Sequence, residues 1–176
     1  MTRTERLRRV ILLCCHFARN LAYYRSGFHG KHLMKDTEFW RTVNGNFLDL
    51  CVLEWCKLFG DKRGEHCWRL VVSDLNGFET GLLGHLKLSA TEFEEYVEEI
   101  RRYRDGFVAH LDSDKVINIP KLNVAKACVW YYHAHVMNAE AQAGGLEGLP
   151  RDIAHYHQEC EREGNHAYGV ACGAGE

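Results

Sequence analysis

The chain has few prolines, which break long helices, and no apolar run long enough to cross a membrane. Proline occurs only twice, at Pro120 and Pro150, so most of the 176 residues can form uninterrupted helix. No apolar run approaches the ~20 residues of a membrane-spanning helix. The strongest candidate, residues 10–15, is short and is followed by His16. We therefore expect no membrane contact, and we place the protein in the cytoplasm.

An excess of charge of one sign is also missing. Lys and Arg number 22, Asp and Glu number 24, and the formal charge is −2. Any contact with nucleic acid would have to come from a local basic patch, because the net charge offers no attraction for a polyanion. The sequence contains no glycine-rich phosphate loop and no internal repeat. These absences exclude a nucleic-acid coat protein and leave room for an enzyme that touches a few phosphates.

The cysteines and histidines do not form a recognisable metal site. None of the eight cysteines belongs to a CxxC pair, and several fall at apolar helix positions, where a free thiol behaves as a small hydrophobe. We predict free cysteines in a reducing compartment. Only His157 and Cys160 have the spacing of helical ligands, and the other candidates lie in a glycine-rich stretch. We predict no metal and no cofactor.

Apolar residues three and four positions apart predict an all-α protein, an antiparallel bundle of four to five long helices plus short helices. Ser89 and Thr91, each with Glu three residues later, form capping-box patterns and predict a helix start. The predicted helices are residues 4–26, 37–59, 65–72, 75–86, 90–111, 120–143 and 150–162. A charged turn, residues 61–64, follows the second. We expect one domain, residues 1–163, and a flexible glycine-rich tail, residues 164–176.

Two charged residues fall where the helical pattern predicts burial. With about 100° per residue, Arg104 lies about 20° from Phe93, in the middle of its helix's apolar face. Glu54 lies within about 10° of the centre of the apolar face of the second helix. A lone buried charge costs several kcal/mol. We therefore predict that Glu54 pairs with Arg104, directly or through one water, either as a structural ion pair or inside a functional cleft.

A short motif follows Arg104 on the same helix. His110 stands six residues later in the string YRDGFVAHLD, and the string LEWCKLFGDK stands earlier in the chain. Together they resemble the HEPN superfamily, whose signature is an Arg followed a few positions later by a His on a core helix. The resemblance is closest to its abortive-infection AbiU-type branch. It covers roughly residues 36–115 and implies a protein of a defence or toxin–antitoxin system.

The resemblance implies a helical bundle, a homodimer that brings two motifs together, and metal-independent RNA cleavage, with an antitoxin protein as a further candidate partner. RNA carries its own nucleophile, so His110 would transfer protons and Arg104 would stabilise the phosphorane charge. Asp105 or Glu54 would orient the arginine. The candidates for RNA contact are Lys57, Lys62, Arg63 and Arg101.

The spacing of the motif leaves two geometries open. On a straight helix, Arg104 and His110 are separated by about 240° and roughly 9 Å, so they do not share a face. Either Gly106 distorts the helix, or the site combines residues from two chains, as the family pattern favours. Two other functions also stay open. One is a catalytically inactive HEPN-type module that binds RNA or a partner protein, and the other is an unrelated helical domain.

Overall fold

The fold is an all-α helical bundle, as the residue spacing predicts. It is 76% helical, and the part of the chain that the structure describes has one two-stranded sheet. The computed structural model describes residues 1–109, 119–140 and 145–173. The predicted helix ends at residues 111 and 143 lie outside these ranges. In chain order the elements are α1 (Arg3–Ser26), β1 (Phe28–His29), β2 (His32–Leu33), α2 (Glu38–Trp55), α3 (Trp68–Val71), α4 (Leu75–Leu86), α5 (Ala90–Tyr103), α6 (Leu122–His135) and α7 (Ile153–Gly173). Within the described chain, π-helical segments extend α2, α5 and α6: Cys56–Gly60, Arg104–Ala109 and Val136–Glu140.

Helix α1 is the central element of the bundle. Thr2 and Glu5 cap its first turn reciprocally, with the Thr2 side chain accepting from the Glu5 backbone and the Glu5 side chain accepting from the Thr2 backbone. Val10 and Phe17 are fully buried, because α2, α6 and α7 pack around this helix. After α1, Gly30 has a φ of 62° in the turn of the short β1–β2 hairpin, which the sequence did not predict. Among the described helices, none is long and apolar enough to cross a membrane.

An aromatic cluster joins the end of α2 to α5 and α6. The rings of Trp55 and Phe59 stack with centroids 5.2 Å apart. Tyr96 of α5 meets Trp55 edge-on at 5.6 Å, and Tyr132 of α6 meets Phe59 at 5.7 Å. Such pairs contribute about 0.5–1.5 kcal/mol each beyond the area they bury. The second long helix and the motif helix therefore pack together.

All eight cysteines are free thiols, as predicted, and seven of them are buried. Cys56 is the first residue of the π-helical segment that extends α2, and burial raises the pKa of its thiol to about 12. Burial likewise raises the pKa of Cys15 to about 11. These thiols stay protonated at neutral pH, so they act as small apolar side chains rather than as nucleophiles.

The last helix is longer than the sequence predicted. Helix α7 continues to Gly173, so the helix end that we predicted at residue 162 is wrong. Gly164 and Tyr168 are buried, and a Cβ at Gly164 would lie only 2.7 Å from Oγ of Ser26 on α1. The glycine thus permits a close helix–helix contact instead of marking a frayed end.

A buried carboxylate ties the start of α1 to the end of α6. Glu140 accepts hydrogen bonds from the backbone N–H of Ser73 at 2.7 Å and from its hydroxyl at 2.8 Å. It also pairs with Arg3 and lies 3.1 Å from Nε2 of His135. Burial alone would raise the pKa of Glu140, but these hydrogen bonds and the charge of Arg3 outweigh it and lower the pKa.

We expect Glu140→Gln to destabilise the fold at neutral pH and to make its stability depend less on pH in the acidic range. A carboxylate whose pKa is lower in the folded than in the unfolded chain stabilises the fold at pH values above its unfolded pKa, near 4.5. This stabilisation is lost as the pH falls through the folded-state pKa. The expected loss at neutral pH is about 1–3 kcal/mol, measured by urea unfolding at neutral and acidic pH. Glu147→Gln, at an exposed position, is the control. Equal stability of Glu140→Gln and the parent at neutral pH would contradict this role.

Candidate functional site

The candidate site lies where α2 and α5 both widen into π-helical segments. In such a segment the backbone hydrogen bonds join residue i to residue i+5, and these widened turns occur frequently at functional sites. The segment Arg104–Ala109 contains Gly106, so the motif helix is not straight here. This observation matches the first of the two geometries that the motif spacing left open. His110 itself lies outside the described residues.

Arg104 is held by two carboxylates. Its Nη1 donates to Oδ1 of Asp61 at 2.5 Å, and its Nε donates to Oδ1 of Asp105 at 2.8 Å. The hydrogen bond to Asp105 raises the pKa of the guanidinium most, burial opposes it, and the bond to Asp61 raises it further. Only 16% of the Arg104 side chain is exposed. Among the described residues, none accepts a hydrogen bond from Nη2 of Arg104. The guanidinium is therefore fixed through Nη1 and Nε and keeps Nη2 as a donor for a ligand.

Glu54 does not pair with Arg104, and that prediction is wrong. The Glu54 carboxylate accepts from Nζ of Lys57 at 3.0 Å and lies 4.0 Å from Nδ1 of His16 on α1. Helix α2 packs against both α1 and the end of α5, so its buried face is wide enough to meet two neighbours. Glu54 lies on the side that faces α1. The other acid that we predicted to orient the arginine, Asp105, does contact Arg104.

Asp61 is the partner of Arg104 that the sequence did not identify. It directly follows the π-helical segment Cys56–Gly60, and its backbone N–H donates to the carbonyl of Cys56 at 2.8 Å. This bond turns the chain at the helix end, next to the start of the segment Arg104–Ala109. In the sequence, Asp61 was one of several charges in a predicted turn, and its only distinguishing signal was its position immediately after Gly60.

An open groove of about 300 Å³ lies beside this ion cluster. The groove is lined by Gly60, Asp61, Lys62, Arg63, Gly64 and Arg101. Lys62, Arg63 and Arg101 are three of the four residues that we predicted to contact RNA. The fourth, Lys57, is not in this lining and turns toward Glu54. A Cβ at Gly60 would lie 3.4 Å from Cγ of Arg101, so the absence of a side chain lets the turn approach α5 closely.

The three cations of the groove differ in how far acids already neutralise them. Nζ of Lys62 donates to Glu94 at 2.9 Å, and Nη1 of Arg101 donates to Glu98 at 2.7 Å. Arg63 is exposed and makes no ion pair within 4.0 Å of any residue in the described ranges. Arg63 is therefore the cation that an anionic ligand in this groove would meet with the least competition.

Comparison of the chain with protein-family models, with curated proteins and with solved structures gave no match. The interpretation of the site therefore depends on its geometry and on the sequence motif. Within the part of the chain that the structure describes, no three His, Cys, Asp or Glu side chains come together as metal ligands would. The geometry supports the binding of an anion in an open groove, next to an immobilised guanidinium.

Proposed function

We propose that the chain is a HEPN-type helical protein that binds RNA in the groove beside Arg104 and cleaves it without a metal ion. The observation that supports this most is that Lys62, Arg63 and Arg101 line a single groove. Phosphates of a single strand could contact these cations, although the net charge of the whole chain is −2. Arg63, which makes no ion pair with the described residues, is the main candidate for the local positive charge that the balanced composition requires of any nucleic-acid contact.

The proposed reaction uses the 2′-hydroxyl of RNA as the nucleophile. His110 would take the proton from this hydroxyl as the oxygen bonds to the neighbouring phosphorus. The bond from phosphorus to the 5′-oxygen would break, and this oxygen would leave as a hydroxyl after taking a proton from water. Arg104 would stabilise the charge that accumulates on the phosphoryl oxygens. Asp61 and Asp105 would hold its fork in place, which avoids the cost of ordering the guanidinium during the reaction.

The proposed function includes a homodimer and a partner protein. A homodimer with both motifs near its two-fold axis would let each Arg104 act beside the partner copy's motif, which is the second geometry that the spacing left open. An antitoxin protein that silences the nuclease in a defence or toxin–antitoxin system is part of the same proposal.

A second candidate function is an RNA- or protein-binding module of the same type without catalysis. The carboxylates of Asp61 and Asp105 together outweigh the single charge of Arg104, which favours a structural role for the cluster. Expression in bacteria discriminates the two functions. Growth arrest that disappears with His110→Ala supports the nuclease, and harmless expression of both chains supports the binding module.

For the groove, we expect Arg63→Gln to weaken RNA binding about equally for all sequences. The loss of one phosphate contact should reduce the slope of log affinity against log salt concentration by about one. Lys62→Gln should have a smaller effect, because Glu94 already neutralises Lys62. Fluorescence anisotropy with a labelled single-stranded RNA over a series of NaCl concentrations measures both slopes. Arg151→Gln, exposed and outside the groove lining, is the control, and an unchanged slope for Arg63→Gln would contradict the assignment.

A further inference from the structure

A second groove, of about 220 Å³, lies between α1, α2 and α7, and the proposed function does not use it. Half of the residues that line it are aromatic, and one is an acid, Glu163 of α7. The aromatic residues that line it are Tyr23 of α1, Trp40 and Phe47 of α2, and Tyr168 of α7. We call this site the aromatic groove.

The four rings of the aromatic groove form two tilted pairs. The centroids of Tyr23 and Phe47 are 5.3 Å apart, with an angle of 58° between the ring planes. Those of Trp40 and Tyr168 are 5.1 Å apart at 48°. Neither pair is stacked face to face, so the two rings of a pair do not cover each other's faces. The face of an aromatic ring is negative and attracts cations.

The polar atoms of the aromatic groove favour the same kind of ligand. The Tyr168 hydroxyl donates to Oδ1 of buried Asn44 at 3.2 Å, and the Tyr23 hydroxyl donates to Oε2 of Glu163 at 2.7 Å. Burial and the bond to Glu163 raise the pKa of Tyr23, so this hydroxyl stays protonated and keeps donating. Both tyrosine donors are thus occupied. In the described ranges, no Lys or Arg lies within 4.0 Å of the Glu163 carboxylate.

We propose that the aromatic groove binds a methylated or quaternary ammonium group. The methyl groups of such a cation pack against rings, and its charge is attracted by both the ring faces and Glu163. A quaternary nitrogen has no N–H and therefore needs no hydrogen-bond acceptor. An anion would meet the carboxylate, and a neutral ligand of the same shape would gain only apolar burial. The rings and the acid together therefore select for charge as well as for shape.

The test compares choline with its neutral carbon isostere, in which carbon replaces the quaternary nitrogen. Both are titrated into the full chain by isothermal calorimetry, and choline is expected to bind roughly tenfold more tightly. Trp40→Leu removes a ring but keeps an apolar wall, and Glu163→Gln removes the charge but keeps an acceptor for Tyr23. Each should weaken choline binding roughly five- to tenfold and change the binding of the isostere little.

Two variants are the matched controls. Glu159→Gln changes an acid one turn earlier on α7, and Val170→Ala shortens an exposed apolar side chain of α7; neither residue lines the aromatic groove. Both should bind choline as the parent does. Equal affinity for choline and the isostere, absence of choline binding, or choline binding that Trp40→Leu and Glu163→Gln leave unchanged would each overturn the proposal. None of these outcomes depends on RNA cleavage, so the two proposals can fail separately.

Discussion

Arg104→Lys is expected to fold nearly as the parent chain does and to cleave RNA roughly two to three orders of magnitude more slowly. Lysine keeps the positive charge that Asp61 and Asp105 need. Its ammonium cannot donate to both carboxylates in the geometry of the fork and still offer a further donor to a phosphate. Single-turnover cleavage of a labelled RNA measures the rate, and thermal unfolding followed by circular dichroism measures the stability.

The control for this variant is Arg102→Lys on the same helix. Arg102 is exposed, and the hydrogen bond it makes to the Glu98 carbonyl is long, at 3.4 Å. The Arg102→Lys chain should cleave RNA at the parent rate. RNA affinity should change little in either variant, because both keep the positive charge. Arg104→Lys should therefore lower the cleavage rate and not the affinity for RNA. Cleavage by Arg104→Lys at the parent rate would remove Arg104 from the proposed chemistry.

His110→Ala is expected to lower the cleavage rate by roughly two to four orders of magnitude, the usual contribution of a positioned proton-transfer group. RNA binding should persist, because the cations of the groove beside Arg104 remain. Anisotropy and single-turnover cleavage on the same preparation separate the two effects. His155→Ala, at an exposed histidine of α7, should leave both unchanged. A His110→Ala chain that cleaves as fast as the parent would show that the motif histidine is not the proton-transfer group.

The helices could be predicted because local interactions determine where they begin. Ser89 and Glu92 form the reciprocal cap that their spacing predicts, and α5 begins at the next residue, Ala90. The apolar spacing of α5 also predicted which of its faces is buried, and Phe93 and Ile100 are indeed buried. These features depend on residues within a turn or two of one another.

The partner of Arg104 could not be predicted because it depends on which helices become neighbours. An angle on a helical wheel shows that Glu54 is buried, but it does not show whether α1 or α5 covers that part of α2. The structure places His16 of α1 near Glu54 and brings Asp61 to Arg104 through the turn after Gly60. The conformation of that turn follows from the π-helical end of α2, for which the sequence contains no comparable local signal.

The carboxyl-terminal helix illustrates the same limit. Its glycines predict a frayed tail from local propensity alone, because each glycine costs a helix about 1 kcal/mol relative to alanine. Tertiary packing outweighs that cost. Gly164 fits against Ser26, and the Tyr168 hydroxyl reaches Asn44, so contacts with α1 and α2 hold the helix well past the predicted boundary.

The most direct test of the central claim is an RNA cleavage assay with the purified chain in the presence of EDTA, followed by analysis of the fragment ends. We predict that the parent chain cuts single-stranded RNA under these conditions and leaves a cyclic phosphate on one fragment and a free 5′-hydroxyl on the other. His110→Ala, prepared in parallel, should leave the RNA intact. RNA that stays intact with the parent chain, or cleavage that requires an added divalent metal ion, would contradict the account.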